Sequence, residues 1–130
     1  MNHITEIIIL VFLAITFLQS GIDKISDWKG NVEWLKSHFS KTFLADKVPF
    51  SLGLILVLEM IAGILAIIGI FSLFINENKE IALISGILSS VTLLLLLLGQ
   101  RIAKDYDGAR TIVIYFIPTI FLIYTLQSAI

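Results

Sequence analysis

Four long apolar stretches dominate this chain of 130 residues and limit what it can fold into. They cover approximately residues 4–22, 50–75, 81–99 and 109–128. Each is long enough to cross a hydrocarbon core about 30 Å thick as a helix that rises about 1.5 Å per residue. A barrel strand would instead alternate apolar and polar residues over about ten positions. The sequence therefore predicts an all-α fold, a four-helix bundle in a membrane, as one domain over residues 1–130.

The composition supports this class and removes others. Hydrophobic residues make up 58% of the chain and charged residues 15%, whereas soluble domains have about 45–50% and about 25%. A formal net charge of −1 offers no basic surface for nucleic acid. The sequence contains no cysteine, which excludes disulfides and thiol catalysis.

The first apolar stretch needs a check against secretory signal peptides. His3 and Glu6 precede it in place of lysine or arginine, and Gln19-Ser20-Gly21 at its end is not a small-x-small cleavage site. We therefore expect this stretch to be retained as the first span.

The segment between the first two spans has a different pattern. Between residues 25 and 43, apolar residues recur at steps of three and four, which is typical of an amphipathic helix. We predict a break at Gly30, with Asn31 capping a second short helix. Trp28 and Trp34 favour the headgroup level. The segment is then either an interfacial anchor or a functional lid over the mouth of the bundle.

The basic residues predict an orientation. Eight of the nine lysines and arginines lie in the first and third loops, and Lys79 alone lies in the second. The positive-inside rule places the first and third loops in the cytoplasm and both termini outside. We expect a multi-pass protein of the inner (cytoplasmic) membrane. Lys24, Arg101, Lys104 and Arg110 are predicted to be interfacial anchors whose charged ends reach towards water.

This orientation can be tested because the chain has no cysteine of its own. A Lys36→Cys variant is expected to be protected from a membrane-impermeant thiol reagent in intact cells, whereas Asn78→Cys is expected to react. Labelling at position 36 with none at position 78 would reverse the assignment.

Glu59 is the sole ionisable residue of the second stretch. On a helix it shares one stripe with small residues three, four and seven positions later, namely Ala62, Gly63 and Ala66. Small faces let membrane helices pack closely, so the carboxyl group is predicted to point into the bundle. Burial disfavours its charged form unless a cation such as Lys24 or Arg101 reaches it.

Polar residues of the other spans lie at a similar depth. We estimate this depth as about nine residues, roughly 13 Å, from the membrane face. The sequence therefore predicts a polar intramembrane pocket formed by Glu59, Thr16, Thr92, Tyr115 and Pro118. The acid could be a structural hydrogen-bonding group, a ligand or proton site, or a contact to a partner subunit.

Other polar residues receive plainer interpretations. His3 and His38 lack metal-ligand spacing and are predicted to be solvated, so no metal site is expected. The serines of the third stretch have no base at hand and are predicted to be packing residues.

Short motifs resemble those of the DoxX family of small four-span membrane proteins. The first is Ser20-Gly21-Ile22-Asp23-Lys24-Ile25, followed by Glu59 with Gly63 and then Gly69 in the second stretch. The stretch after the third span, residues 99–109, is similar to bacterial members. The residues of these motifs that we single out are Ser20, Gly21, Lys24, Gly63, Gln100, Arg101, Lys104 and Asp105.

The resemblance implies an architecture more than an activity. The family is named after a subunit associated with thiosulfate:quinone oxidoreductase, and several relatives look like accessory or chaperone subunits. We therefore predict a non-catalytic accessory subunit that contacts the lipid bilayer and binds a partner protein, a second copy or a small lipophilic molecule, with no cofactor required. One alternative is a quinone-linked oxidoreductase subunit, in which Glu59 carries protons and Tyr115 or Arg101 contacts the quinone. A weaker one is a small transporter or proton channel.

Overall fold

The computed structural model describes residues 3–128. Within this range the chain is helical and has no strand, which confirms the all-α prediction. The elements are α1 (Ile4–Ser26), α2 (Trp28–His38), a 3-10 turn (Ala45–Lys47), α3 (Val48–Asn76), α4 (Glu80–Ile102) and α5 (Tyr106–Ser128).

Four helices in this part of the chain, α1, α3, α4 and α5, are long and apolar enough to cross a membrane. They contain the four apolar stretches of the sequence, and each continues by up to one turn at the end of the bundle where α2 lies. We call this end the α2 end. Lys24 therefore lies in the last turn of α1 and Arg101 in the last turn of α4, and neither lies in a loop.

The spanning helices pack in sequence order, α1 on α3, α3 on α4 and α4 on α5, and α5 also contacts α1. Glycines bring three of these pairs together. Gly21 lies against Met60, and Gly86 lies against the α5 side chains facing it. The closest approach of a glycine to the backbone of another helix is at Gly69, where an added Cβ would lie 2.9 Å from the Cα of Ala82. Backbone contact of this kind is typical of small residues in membrane bundles.

Apolar side chains divide between the core and the outer surface. Leu10, Leu13 and Phe17 of α1 are buried with leucines of the other spanning helices. Large apolar side chains such as Phe74 and Ile117 are exposed all around the bundle. A soluble protein rarely exposes so much contiguous apolar surface, whereas a bilayer covers it. The fold is therefore a four-helix membrane bundle.

Helix α2 corrects one prediction. It continues through Gly30, and the break falls earlier, at Asp27 (φ −138°). The Asp27 carboxylate accepts a hydrogen bond from the Gly30 backbone N–H (3.2 Å) and so caps the helix. The Asn31 side chain donates to the Asp27 carbonyl (2.7 Å) and caps no second helix. The predicted break at Gly30 and cap at Asn31 are wrong, because α2 begins at Trp28 and is capped by Asp27 through the Gly30 amide.

Candidate functional site

A buried ion pair joins α1 to α3. The Lys24 Nζ lies 2.8 Å from Oε1 of Glu59, and the two side chains are 16% and 3% exposed. The same Nζ donates to the Ser20 hydroxyl at 2.6 Å. Glu59 thus points into the bundle as its small-residue stripe indicates, and a cation reaches it.

Lys24 departs from its predicted role as an interfacial anchor. Side chains on a helix lean towards its N-terminus, so a lysine in the last turn of α1 extends back to the level of Ser20. That direction leads to Glu59 and away from water. A carboxylate buried alone would cost more free energy than one beside an ammonium group, which favours the inward arrangement.

Two glycines hold the helices close on either side of this pair. An added Cβ at Gly21 would collide with the Met60 sulfur, and one at Gly63 would lie 2.7 Å from Cγ of Leu18. Both contacts join α1 to α3 near Glu59 in sequence. Of the motif residues, Lys24 therefore pairs with Glu59 and bonds to Ser20, while Gly21 and Gly63 are points of close contact between the two helices that carry this pair.

A cavity of about 440 Å³ lies beside the ion pair, and we call it the central cavity. Its walls come from α1, α3, α4 and α5. The residues that the argument uses are Thr16, Ser20, Lys24, Glu59 and Tyr115. Three residues of the predicted pocket, Thr16, Glu59 and Tyr115, are thus brought together here.

The other two predicted pocket residues do not line this cavity. Thr92 is buried, and its hydroxyl donates to the Leu88 carbonyl (2.8 Å) one turn earlier in α4. This local bond satisfies a threonine hydroxyl inside a helix. Pro118 is half-buried in α5, about one turn beyond Tyr115. Both share the depth of Glu59 in the sequence estimate, but their helical phase turns them elsewhere.

Two buried polar atoms in the described part of the chain have no hydrogen-bond partner, Oε1 of Glu59 and Oγ of Ser89. Oε1 has Lys24 Nζ within ion-pair distance, but the approach is too oblique for a hydrogen bond. Ser85 donates to the Ala62 carbonyl (3.1 Å), which fixes the register of α3 against α4. One turn further along antiparallel α4, Ser89 lies at the depth of Glu59. The centre of the bundle therefore contains two polar atoms, Oε1 of Glu59 and Oγ of Ser89, that could each form a further hydrogen bond.

A second cavity, of about 460 Å³, lies at the α2 end. It is covered by α2 and the turns that follow, residues 28–44, which we call the cover segment. Trp34, Phe39 and Phe43 face it from the cover segment. We call it the cover cavity, and Lys24 and Leu96 line both cavities.

His38 connects the cover segment to the loop between α4 and α5. Its Nε2 lies 3.4 Å from Oε1 of Gln100 and 3.6 Å from Oδ2 of Asp105, and its ring stacks on Trp34 (4.7 Å between centroids). The prediction that His38 is solvated is therefore wrong. The sequence holds no signal for this contact, because 62 positions separate His38 from Gln100.

The remaining motif residues and basic residues lie at the surface. Asp105 caps α5 by accepting from the Gly108 N–H (2.9 Å). The Arg101 guanidinium lies 5.1 Å from the centroid of the Tyr106 ring. Lys104 is exposed with a left-handed backbone (φ 61°), and exposed Arg110 pairs with Asp107 (3.0 Å). Arg101, Lys104 and Arg110 thus remain outside the bundle.

The polar groups of the central cavity offer hydrogen-bond donors and acceptors. An ammonium group has three N–H donors. In Lys24 one of them donates to Ser20, one faces Glu59, and one remains for a ligand oxygen. No group of three His, Cys, Asp or Glu side chains within residues 3–128 could hold a metal ion.

Fold and site together define a multi-pass membrane protein, a four-helix bundle with a largely buried Lys–Glu pair beside a cavity that is partly open at the bundle surface. The DoxX family model matches residues 7–76, just over half of the chain, and the chain belongs to the DoxX family. The matched range includes Ser20, Gly21, Lys24, Glu59 and Gly63. It ends before Gln100 and Asp105, whose resemblance to the family stays a prediction. No curated protein and no solved structure matches the chain.

Proposed function

We propose that this DoxX-family protein is a non-catalytic accessory membrane protein that binds a small lipophilic molecule in the central cavity. The observation that carries the proposal is the Lys24–Glu59 pair beside a cavity of about 440 Å³ that is lined by all four spanning helices and partly open at the bundle surface. That volume lies within the roughly 300–1,000 Å³ typical of ligand pockets.

The character of the walls supports a lipophilic ligand with one polar end. Ile15, Leu93, Leu96 and Ile112 contribute apolar surface. Besides Lys24 and Glu59, the polar lining residues are Thr16, Gln19, Ser20 and Asp23 of α1 and Tyr115 of α5. A few placed polar groups in an apolar pocket fix the orientation of a ligand.

The state of the charged pair supports binding over catalysis. Each charge at 2.8 Å neutralises the other, so neither Lys24 nor Glu59 is poised as a free nucleophile or base. The pair can still present a donor and an acceptor to a ligand.

A quinone-linked role is the second candidate, and one observation favours it. Lys24 and Tyr115 line the same cavity and could both donate to a quinone oxygen. The Arg101 guanidinium stacks over Tyr106 outside that cavity, so this candidate depends on Tyr115 and Lys24 without Arg101.

Filling the central cavity tests the proposal. Thr16→Phe is expected to reduce the amount of co-purifying lipophile at least about tenfold, which corresponds to roughly 1.4 kcal/mol of binding free energy. The protein would be purified from native membranes, and bound small molecules and proteins identified by mass spectrometry. Recovery of a quinone would favour the second candidate.

Thr5→Phe is the matched control, since Thr5 lies on the same helix, is exposed and does not line the cavity. Equal lipophile in both variants, or none in the wild type, would contradict binding in the central cavity. A stoichiometric protein partner that is retained in both variants would support an accessory role that does not use this cavity.

A further inference from the structure

The cover segment is held on the bundle by little packing. Helix α2, which the structure describes in full, has no buried residue. Trp34 and Phe43 are 61% and 70% exposed, although both line the cover cavity. Beneath them, Leu52 of α3 lines the same cavity and is 5% exposed. Segments with few buried apolar contacts open at a lower free energy than the core of a protein.

Helix α2 lies between two joints of non-helical backbone. The first is the break at Asp27, and the second is the run of turns at residues 39–44, before the 3-10 turn that leads into α3. The Asn31 side chain donates to the carbonyls of Asp23 and Asp27, so these bonds lie at the first joint and do not hold the far end of α2. The motion of a lid is absorbed by a few residues at the ends of elements. Helix α2 can therefore move as one unit relative to α1 and α3.

A cluster of polar contacts ties the far end of α2 to the bundle. The Nε2 of His38 lies 3.4 Å from Oε1 of Gln100 and 3.6 Å from Oδ2 of Asp105. These partners are themselves held in place, because the Asp105 backbone N–H donates to the Gln100 carbonyl (2.9 Å) and Oδ1 of Asp105 accepts from the Gly108 N–H (2.9 Å). His38 therefore joins a segment that can move to a loop whose position is fixed.

We propose that the cover segment is a lid over the cover cavity and that His38 is its latch. The lid opens at its two joints when the contacts of His38 with the loop between α4 and α5 break. An open lid uncovers Leu52 to water at the α2 end. Because Lys24 and Leu96 line both cavities, opening also widens access to the central cavity. A role in ligand entry rests on the function proposed above, whereas the opening itself does not.

Cysteine labelling measures the opening, because the chain has no cysteine of its own. Leu52→Cys places a thiol beneath the lid. Leu73→Cys is the matched control, since Leu73 lies about one turn from the other end of α3, is 1% exposed and lines neither cavity. Lys36→Cys, at an exposed position of α2, gives the rate of an uncovered thiol. With a membrane-impermeant thiol reagent in nanodiscs, Leu52→Cys is expected to react at least about tenfold faster than Leu73→Cys and at least about tenfold slower than Lys36→Cys.

Removing the latch is expected to speed labelling beneath the lid. His38→Phe keeps a ring that can stack on Trp34 but lacks both nitrogens, so the Leu52→Cys rate should rise about fivefold, the factor expected for one lost hydrogen bond. Asp105→Asn removes the charge opposite His38 while its side-chain carbonyl can still cap α5, so a smaller rise is expected. The double variant should react no faster than His38→Phe, because both changes break one contact. Ser37→Ala, at an exposed position that does not line the cavity, should leave the rate unchanged.

Three results would overturn the proposal. Equal rates for Leu52→Cys and Leu73→Cys would mean that only unfolding of the whole bundle exposes Leu52. A Leu52→Cys rate as high as that of Lys36→Cys would mean that nothing covers the cavity. A Leu52→Cys rate that His38→Phe leaves unchanged would show that His38 is not the latch.

Two further variants keep the test independent of folding and of the proposed ligand. If Leu52→Cys does not fold by circular dichroism, Ser51→Cys in the cover cavity and Ser72→Cys outside it change only one atom of each side chain. His38→Phe should then speed labelling at position 51 and not at position 72. Thr16→Phe changes a residue outside the cover cavity and should leave labelling beneath the lid unaltered, so the lid and the ligand site are tested separately.

Discussion

Replacing Glu59 with alanine is expected to destabilise the bundle by about 3–5 kcal/mol, the usual cost of removing one partner of a buried ion pair. The variant leaves the Lys24 ammonium group largely buried without its counter-ion. The free energy of unfolding can be measured by titration from mild detergent into SDS, followed by circular dichroism.

Glu59→Gln distinguishes a charged pair from a neutral hydrogen-bonding acid. Glutamine keeps the shape and polar atoms of the carboxyl group but cannot carry its charge. If Glu59 were protonated and structural, Gln would retain stability and Ala would lose only about 1 kcal/mol. Because Lys24 Nζ lies 2.8 Å away, we expect Gln to lose most of what Ala loses.

The controls for this prediction test the pairing itself. Removing both charges in Lys24→Met/Glu59→Leu should restore much of the stability, since a well-packed apolar pair can replace a buried ion pair. Glu80→Ala, at an exposed carboxylate at the start of α4, should change stability by less than about 0.5 kcal/mol. A loss at Glu59 no larger than that at Glu80 would show that the ion pair does not stabilise the bundle.

Periodic features of the sequence were predictable, because they depend only on neighbours along one helix. Hydropathy located the four spans, and the small residues after Glu59 identified its face. The sequence named Lys24 and Arg101 as cations that could reach Glu59, but helical phase did not choose between them. Shared depth also selected Thr92 and Pro118 for the pocket, although depth says nothing of the direction in which a side chain points.

Contacts between distant segments were not predictable. The inward turn of Lys24 depends on how closely Gly21 and Gly63 let α1 approach α3. The His38 contact with Gln100 and Asp105 depends on where the cover segment lies over the bundle. The cover cavity is lined by residues of α1, α2, α3 and α4, so no pattern along a single helix marks it.

Glycine substitutions in α3 are expected to follow a fixed order of destabilisation, Gly69 before Gly63 before Gly53. Gly69→Ala places a Cβ 2.9 Å from the Cα of Ala82, and a backbone atom cannot rotate away. We expect a loss near the upper end of the roughly 1–3 kcal/mol typical of overpacking. The measurement is the same SDS titration.

The other two variants give comparisons at glycines of α3 that face α1 and α2. In Gly63→Ala the added Cβ would lie 2.7 Å from Cγ of Leu18. Because the Leu18 side chain can change rotamer, we expect a smaller loss of stability than for Gly69→Ala. Gly53→Ala meets only the Trp28 ring at 3.8 Å and should gain up to about 1 kcal/mol from helix propensity. If Gly69→Ala were as stable as Gly53→Ala, α3 and α4 could not be in backbone contact. The Ser85 bond to Ala62, which sets Ser89 at the depth of Glu59, would then lose its support.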